Sequence, residues 1–143
     1  MNLLNFYQGK SVLITGHTGF KGSWLCTMLM MLGAKVSGFS LGVPTEVSMF
    51  EKLNVSQYLV HDFRGEISNE PQLQKAVQQA RPEIIIHLAA QPIVLKSYRA
   101  PLETLQTNVM GTASVLNCAR FADCVRAVVI VTTDKCYQNK NWI

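Results

Sequence analysis

Five short apolar runs, separated by segments of helical character, constrain the fold of this chain more than any other feature. The run from Glu83 to Ala90, EIIIHLAA, is apolar at consecutive rather than alternate positions. Such a strand is buried on both faces, as in a parallel sheet that helices cover on each side. The other runs lie within SVLITG, AKVSGFS, YLVHDF and VRAVVIVTT. Because strands alternate with helices, the chain is predicted to form a Rossmann-type α/β fold with a doubly wound parallel sheet.

Composition and charge narrow the class of protein. A chain of 143 residues that is 48% hydrophobic has the size and content of one folded domain. No apolar run reaches the roughly 18 residues of a membrane-spanning helix, and the N-terminus lacks the pattern of a signal peptide. We therefore expect a cytoplasmic protein with no membrane partner. The net charge of +4 comes from scattered basic residues, which argues against nucleic acid and suits an anionic small molecule.

Three glycines stand between the first predicted strand and the first predicted helix, in the sequence GHTGFKG. Their order is G-x-x-G-x-x-G, which suits a sharp turn, a backbone that approaches a pyrophosphate, and a helix packed on the strand. The N–H groups at the start of the helix then face the phosphates. A tight turn without a ligand is the alternative, but the position at the first strand–helix junction favours a dinucleotide site. The predicted loop comprises Gly16, His17, Thr18, Gly19, Phe20 and Gly22.

The end of the second predicted strand bears on the choice of dinucleotide. It reads GFSLG, with neither a carboxylate for the ribose hydroxyls nor an arginine for a 2′-phosphate. Ser40 is the candidate for a hydrogen bond to the ribose, and NAD is favoured over NADP. His17 would enlarge or crowd the phosphate site. Lys21 would either reach a phosphate or lie exposed at the start of the helix.

Four stretches carry a resemblance to a known family: ITGHTGFKGSWL, HLAAQPIVLKSY, TNVMGT and VTTDKCY. They resemble the extended short-chain dehydrogenase/reductases, and the sequence of the glycine loop is similar to that of CDP-glucose 4,6-dehydratases. The resemblance implies a tightly bound NAD that takes the C4 hydride of CDP-D-glucose and returns it to C6 after water is lost across C5 and C6. The implied product is CDP-4-dehydro-6-deoxy-D-glucose, a precursor of dideoxy sugars in lipopolysaccharide O-antigens.

The resemblance also assigns ligand contacts outside the glycine loop. The end of the third strand matches a pair of residues that meets adenine, and the end of the fourth strand matches a segment that lines the cofactor. A glutamine that follows the fourth strand borders the sugar site, and an asparagine in the long helix lies near the active site or buttresses that helix. The implied cofactor contacts are Asp62, Phe63, Leu88, Ala89, Ala90, Asn108 and Thr132, and the implied substrate contact is Gln91.

Catalytic roles fall at the end of the fifth strand. By resemblance, Thr133 hydrogen-bonds the 4-oxygen of the sugar and Asp134 is the general acid that protonates the leaving 6-hydroxyl. Lys135 stands where related dehydratases carry the glutamate that removes the C5 proton. Burial favours these roles, because it raises the pKa of a carboxyl group and lowers that of an ammonium group. A solvated ion pair between Asp134 and Lys135 is the alternative.

The family oxidises its substrate with a Tyr-x-x-x-Lys pair, and no such pair follows the fifth strand. Tyr137 precedes Asn139-Lys140-Asn141 and does not match the spacing. We therefore expect residues 1–143 to be an incomplete NAD(P)-binding Rossmann domain, inactive by itself, from an enzyme that is a homo-oligomer when full length. The alternatives are a stand-alone or remnant NAD-binding module, or another NAD-dependent nucleotide-sugar epimerase or dehydratase.

Further expectations concern packing. Four cysteines without CxxC spacing indicate reduced thiols and no metal site. His87 lies within an apolar strand and is predicted to be a packed core histidine. The three methionines of the first helix, Met28, Met30 and Met31, are predicted to lie in the core. The fifth strand is expected to expose apolar side chains at the edge of the sheet.

Overall fold

The computed structural model describes residues 3–133 and 137–138. The five predicted strands form one sheet in which every neighbouring pair is parallel. Their order across the sheet is β3-β2-β1-β4-β5. The order reverses between β1 and β4, and a crevice opens at such a point beyond the carboxyl ends of the strands. The strands are β1 Ser11–Thr15, β2 Lys35–Ser40, β3 His61–Arg64, β4 Ile84–His87 and β5 Ala127–Ile130.

Two helices have sequence signals at their ends. The helix after β1 is followed by Gly33 at a φ of 79°, and the helix after β3 has Asn69 as its N-cap, with its side chain accepting from the N–H of Gln72 at 3.2 Å. That second helix ends at Ala80, shortly before Pro82, which cannot continue a helix. The helices are α1 Leu3–Phe6, α2 Phe20–Met31, α3 Met49–Lys52, α4 Glu70–Ala80, α5 Val94–Arg99, α6 Pro101–Leu105 and α7 Gly111–Arg120.

The stretch APLETLQTNVMGTASVLNCARFA has the apolar spacing of one long helix, but the structure changes helical type within it. Residues Gln106–Met110 between α6 and α7 form a π-helical turn, in which Gly111 N–H donates to the carbonyl of Gln106, five residues back. Gly111 is buried, and a Cβ there would lie 2.6 Å from the side chain of Ile67. The lack of a side chain at this interior position therefore allows the helix to pack closely on Ile67.

Two apolar clusters cover the two faces of the sheet. Along β1, Val12 and Ile14 enter the cluster under α2 and α3, while Leu13 enters the cluster under α4 and α7. This alternation follows from the two-residue period of a strand. Both faces of the central strands are thus buried, and the Rossmann-type prediction is confirmed.

Two methionines of α2 are not in the core, and that prediction was wrong for them. Met28 and Met31 are exposed, together with Phe20 and Trp24, whereas Met30 packs against the first cluster. The helix is apolar all round, so its sequence could not show which side faces the sheet. Most of the buried residues of α2 are small, namely Gly22, Ser23 and Cys26.

The outer strand exposes apolar side chains, as expected. Val129 is 49% exposed and Val131 is 45% exposed, although the central strands are fully covered. Among the described residues, no helix has both the length and the apolar character that a membrane crossing requires.

Candidate functional site

The glycine loop lies at the point where the strand order reverses. Gly16 follows β1 with a φ of 74°, in the left-handed region that favours glycine, and a Cβ there would lie 2.7 Å from the backbone nitrogen of Ala89. A Cβ on Gly22 would overlap the carbonyl oxygen of Gly16. Gly16 therefore allows the loop to meet the end of β4, and Gly22 allows α2 to pack on the loop.

Gly19 lies at the start of α2, in the same loop. It caps α2 with φ −71° and ψ 166°, makes no side-chain cap bond, and is followed by no acidic residue in the first turn. A Cβ on Gly19 would meet only the carbonyl oxygen of Gly16, at 3.3 Å. The first N–H groups of a helix have no intrahelical partner, and the helix dipole favours an anion there. The loop thus has the features that a pyrophosphate requires.

His17 turns away from the phosphate path. Its side chain is fully buried, its Nε2 lies 2.8 Å from Asp62 Oδ1, and its ring packs edge-on against Phe50. A Cβ on Gly38 of β2 would overlap this ring. The imidazole therefore lies beneath the loop and against the sheet, rather than enlarging or crowding the crevice.

Asp62 is held from two sides. Its Oδ1 faces His17, and its Oδ2 accepts from Arg64 Nη2 at 2.7 Å. The guanidinium of Arg64 in turn stacks over the ring of Phe50 at 5.2 Å. Burial lowers the pKa of His17, and the hydrogen bond that its ring donates to Asp62 opposes that effect without reversing it. His17 is therefore neutral near pH 7 and orients the carboxylate through its Nε2–H.

Thr18 and Ser40, both predicted cofactor contacts, meet each other. Both hydroxyls are buried and lie 3.1 Å apart, and Thr18 Oγ1 also lies 2.6 Å from the carbonyl oxygen of Gly42. These contacts tie the glycine loop to the end of β2. Phe63, predicted to meet adenine with Asp62, packs in the second apolar cluster and stacks on His61. Its ring therefore lies on the opposite face of the sheet from the Asp62 carboxylate.

The segment after β4 is joined to the π-helical turn by Asn108. The side-chain oxygen of Asn108 accepts from the N–H of Gln91 at 2.7 Å, and its amide nitrogen donates to the carbonyl of Gln91 at 3.1 Å. The side chain of Gln91 bonds to Thr104 Oγ1 at 3.0 Å and accepts from the N–H of Ile93 at 2.7 Å. The side chain of Asn108 thus holds the backbone of Gln91, the predicted sugar contact, and both predicted roles of Asn108 stay predictions.

The remaining predicted residues lie at the ends of β4 and β5. Leu88 and Ala89 are partly buried against the two apolar clusters, and Ala90 is exposed. The N–H of Val131 donates to the carbonyl of His87 at 3.0 Å, so the chain before Thr132 and Thr133 runs beside β4. Thr132 and Thr133 are exposed. The predicted catalytic residues Asp134 and Lys135 lie outside the described residues.

Sequence reasoning missed several residues that shape this site. Gly38 and Arg64 determine where His17 and Asp62 lie, and Thr15 and Thr112 bind the two ring nitrogens of His87. A glycine inside a strand often marks a close approach of another group, which was the one available signal for Gly38. His87 is buried, in agreement with the prediction of a core histidine.

A doubly wound parallel sheet with a glycine loop at its reversal point defines the dinucleotide-binding class of α/β proteins. Residues 13–140 match the sequence model of the GDP-mannose 4,6 dehydratase family, and the chain therefore belongs to this family of nucleotide-sugar dehydratases. The chain is 45% identical over 139 residues to the CDP-glucose 4,6-dehydratase of Salmonella typhimurium. That match covers 97% of this chain and 38% of the relative, so the chain spans well under half of its length.

Solved structures share the fold. An epimerase from Methanothermobacter thermautotrophicus matches with a TM-score of 0.76 and 29% identity, over 92% of this chain and 37% of that one. A UDP-glucose-4-epimerase from Stenotrophomonas maltophila matches with a TM-score of 0.81 and 23% identity, over 93% of this chain and 40% of that one. This chain therefore shares its Rossmann-type sheet with epimerases of known structure.

Proposed function

We propose that this chain is the NAD-binding portion of an enzyme that converts CDP-D-glucose to CDP-4-dehydro-6-deoxy-D-glucose. The observation that carries the cofactor is the glycine loop at the reversal point, with an uncapped helix start and an open side at Gly19. The relative from Salmonella typhimurium, 45% identical over nearly the whole chain, supports the substrate. The Stenotrophomonas maltophila epimerase is a complex with NAD.

The residues of the loop fit a dinucleotide. Gly19 leaves room for a pyrophosphate, and the N–H groups of the first turn of α2 would donate to it. Asp62 keeps 22% of its side chain exposed while two partners orient it, so its carboxylate would accept from the amino group of adenine. Ser40 is the proposed ribose contact. When bound, NAD supplies a reversible hydride acceptor.

The strand ends would bind and polarise the sugar. In the proposed roles, the Thr133 hydroxyl donates a hydrogen bond to the 4-oxygen, and Gln91 borders the sugar. Lys135 takes the proton from C5 while Asp134 gives its proton to the 6-hydroxyl, which leaves as water. One proton is accepted and one is donated, so the elimination balances without further groups.

Titration calorimetry with NAD and NADP tests the cofactor assignment. The informative variant is Gly19→Ala, because φ at this position suits any residue and the added methyl group has one neighbour within 4 Å, the carbonyl oxygen of Gly16 at 3.3 Å. The matched control is Gly42→Ala, since a Cβ there has no neighbour within 4 Å. We expect Gly19→Ala to weaken NAD binding about tenfold and Gly42→Ala to leave it unchanged. Absence of NAD binding to the unmodified chain would overturn the cofactor assignment.

A separate experiment tests the substrate. Sequencing the reading frame beyond codon 143 would show whether a Tyr-x-x-x-Lys motif follows in frame. If it does, the protein encoded by the full frame should release a 4-keto-6-deoxy sugar from CDP-glucose. Release of such a product from UDP-glucose or GDP-mannose but not from CDP-glucose would contradict the proposed substrate.

A further inference from the structure

The ring of His87 lies in the core between two hydroxyl groups, and the directions of its hydrogen bonds can be worked out. Thr112 Oγ1 lies 2.7 Å from the carbonyl oxygen of Asn108 and 3.0 Å from His87 Nε2. A hydroxyl has one hydrogen, and a carbonyl oxygen can only accept. The hydrogen of Thr112 therefore points to Asn108, and the contact with His87 requires a hydrogen on Nε2.

The other ring nitrogen completes the assignment. His87 Nδ1 lies 2.6 Å from Thr15 Oγ1, and the N–H of Ala89 donates to that same hydroxyl oxygen at 3.3 Å. Burial lowers the pKa of His87, and no charged side chain contributes to the shift. A neutral ring with its hydrogen on Nε2 has a lone pair on Nδ1, so Thr15 donates to it. Every group in this chain of contacts then has a partner.

The resulting chain of hydrogen bonds has a single direction. It runs from the N–H of Ala89 through Thr15, His87 and Thr112 to the carbonyl of Asn108. It joins the end of β4, where a cofactor-lining segment begins, to the π-helical turn that contains Asn108. π-Helical turns inside α-helices are frequent at functional sites.

Asn108 links this chain of hydrogen bonds to Gln91, the predicted sugar contact. Its side-chain amide makes two hydrogen bonds with the backbone of Gln91, one as acceptor and one as donor. The rotation of this amide depends on the backbone of the π-helical turn, whose carbonyl at Asn108 is held by Thr112. A core histidine is thus linked to the backbone of Gln91 through two intermediate residues.

We infer that His87, as the neutral Nε2–H tautomer, is a positioning residue that holds Asn108 and through it the Gln91 backbone at the substrate side of the crevice. The hydrogen on Nε2 follows from the contacts of Thr112, and the direction at Nδ1 follows because the buried ring is neutral. The consequence for ligand binding rests on the proposed function, so the test has readouts that need no cofactor or substrate.

The first readout is the tautomer of His87 in the unmodified chain. Long-range ¹H–¹⁵N spectra of the imidazole rings distinguish the two neutral tautomers from each other and from the cation. The chain has three histidines, and backbone-linked assignment identifies each ring. We expect His87 to carry its hydrogen on Nε2 at pH 7. A hydrogen on Nδ1, or a cationic ring, would overturn the inference without any mutation.

The second readout is the exchange rate of the Gln91 amide hydrogen, compared between Thr112→Val and Thr112→Ser. Valine removes the hydroxyl at nearly constant volume, whereas serine keeps it, and Thr112 does not itself bond to Gln91. We expect exchange about five- to tenfold faster in Thr112→Val and close to the unmodified rate in Thr112→Ser. The amide of Leu13 in β1 is the control for general loosening and should change little in either variant.

Two outcomes of the exchange measurement would contradict the positioning role of His87. Unchanged protection of Gln91 in Thr112→Val would show that the core contact does not position it, and would overturn the inference. Equal loss of protection at Gln91 and Leu13 would indicate a general packing effect, which also contradicts it. If NAD fails to bind any variant while these results hold, the proposed function fails and the positioning role stands.

Discussion

His17 Nε2 lies 2.8 Å from Asp62 Oδ1, beneath the glycine loop that is proposed to receive phosphates. The ring fits there because β2 carries Gly38 at the point of contact, where any Cβ would overlap it. A loop histidine that looked like a phosphate neighbour in the sequence is instead part of the support for a carboxylate at the end of β3.

Gly38→Ala is expected to destabilise the chain by about 1–3 kcal/mol, because the added methyl group would overlap the buried His17 ring. Urea unfolding followed by circular dichroism measures the difference. Gly42→Ala has open space around the new methyl group and is the control, with a change expected to stay within about 0.5 kcal/mol. Equal stability of the two variants would mean that His17 is not packed on β2.

The stability of the chain is expected to fall as the pH drops below about 6.5. Burial lowers the pKa values of both His17 and His87 below that ordinary value in the folded state. The unfolded chain therefore binds protons more readily in this range, and stability that is fully present above pH 6.5 is lost toward the depressed folded pKa values. The slope can reach about 1.4 kcal/mol per pH unit for each histidine. Urea midpoints at pH 7.5, 6.5 and 5.5 measure this slope, and a flat profile would contradict it.

Leu41→Asp is expected to raise the preference for NAD over NADP about tenfold. Leu41 directly follows β2 and is 66% exposed, at the place where other proteins of this class carry an acidic residue for the ribose hydroxyls. A carboxylate there would repel a 2′-phosphate. The measurement is a pair of calorimetric titrations with the two cofactors, and Leu41→Asn is the uncharged control. An equal loss of affinity for both cofactors would place the adenine ribose elsewhere.

Val131→Lys is expected to reduce self-association of the isolated chain. Val131 follows the outer strand and is 45% exposed, and exposed apolar strand edges promote pairing between molecules. Sedimentation velocity over a range of protein concentrations measures the effect. Val47→Lys, at a position that is 70% exposed in a loop away from the strand edge, is the control. If the unmodified chain is monomeric at every concentration, the exposed edge has no role in association.

No turnover of CDP-glucose is expected from residues 1–143 alone, even with added NAD. The tyrosine that would take the proton from the 4-hydroxyl in a Tyr-x-x-x-Lys pair has no match after the fifth strand in this sequence. The assay is the absorbance of 4-keto-6-deoxy sugars in alkali after prolonged incubation. Accumulation of that product above a heat-treated control would show that another residue of this chain performs the oxidation.

Local patterns in the sequence predicted much of the fold. Consecutive apolar residues in β4 required burial on both faces, and Asn69 and Gly33 marked helix ends through their own side-chain and backbone chemistry. The glycine loop was predictable because Gly16 turns the chain at a φ of 74° and Gly22 lies against Gly16, whereas the approach of Gly16 to Ala89 was not. These features involve residues close in sequence, so a single chain is enough to read them.

Contacts between distant residues were decided only by the tertiary structure. The sequence of α2 is apolar on every side, so only packing on the sheet could expose Met28 and Met31 and bury Cys26. His17 and Asp62 are 45 residues apart, and His87 and Thr112 are 25 apart, with nothing in either neighbourhood to name the partner. The sequence by itself determined the strands, the helix ends and the glycine loop, because these depend on short-range chemistry. The tertiary structure decided which polar groups meet, because a buried group takes its partner from whichever strand or helix the fold brings beside it.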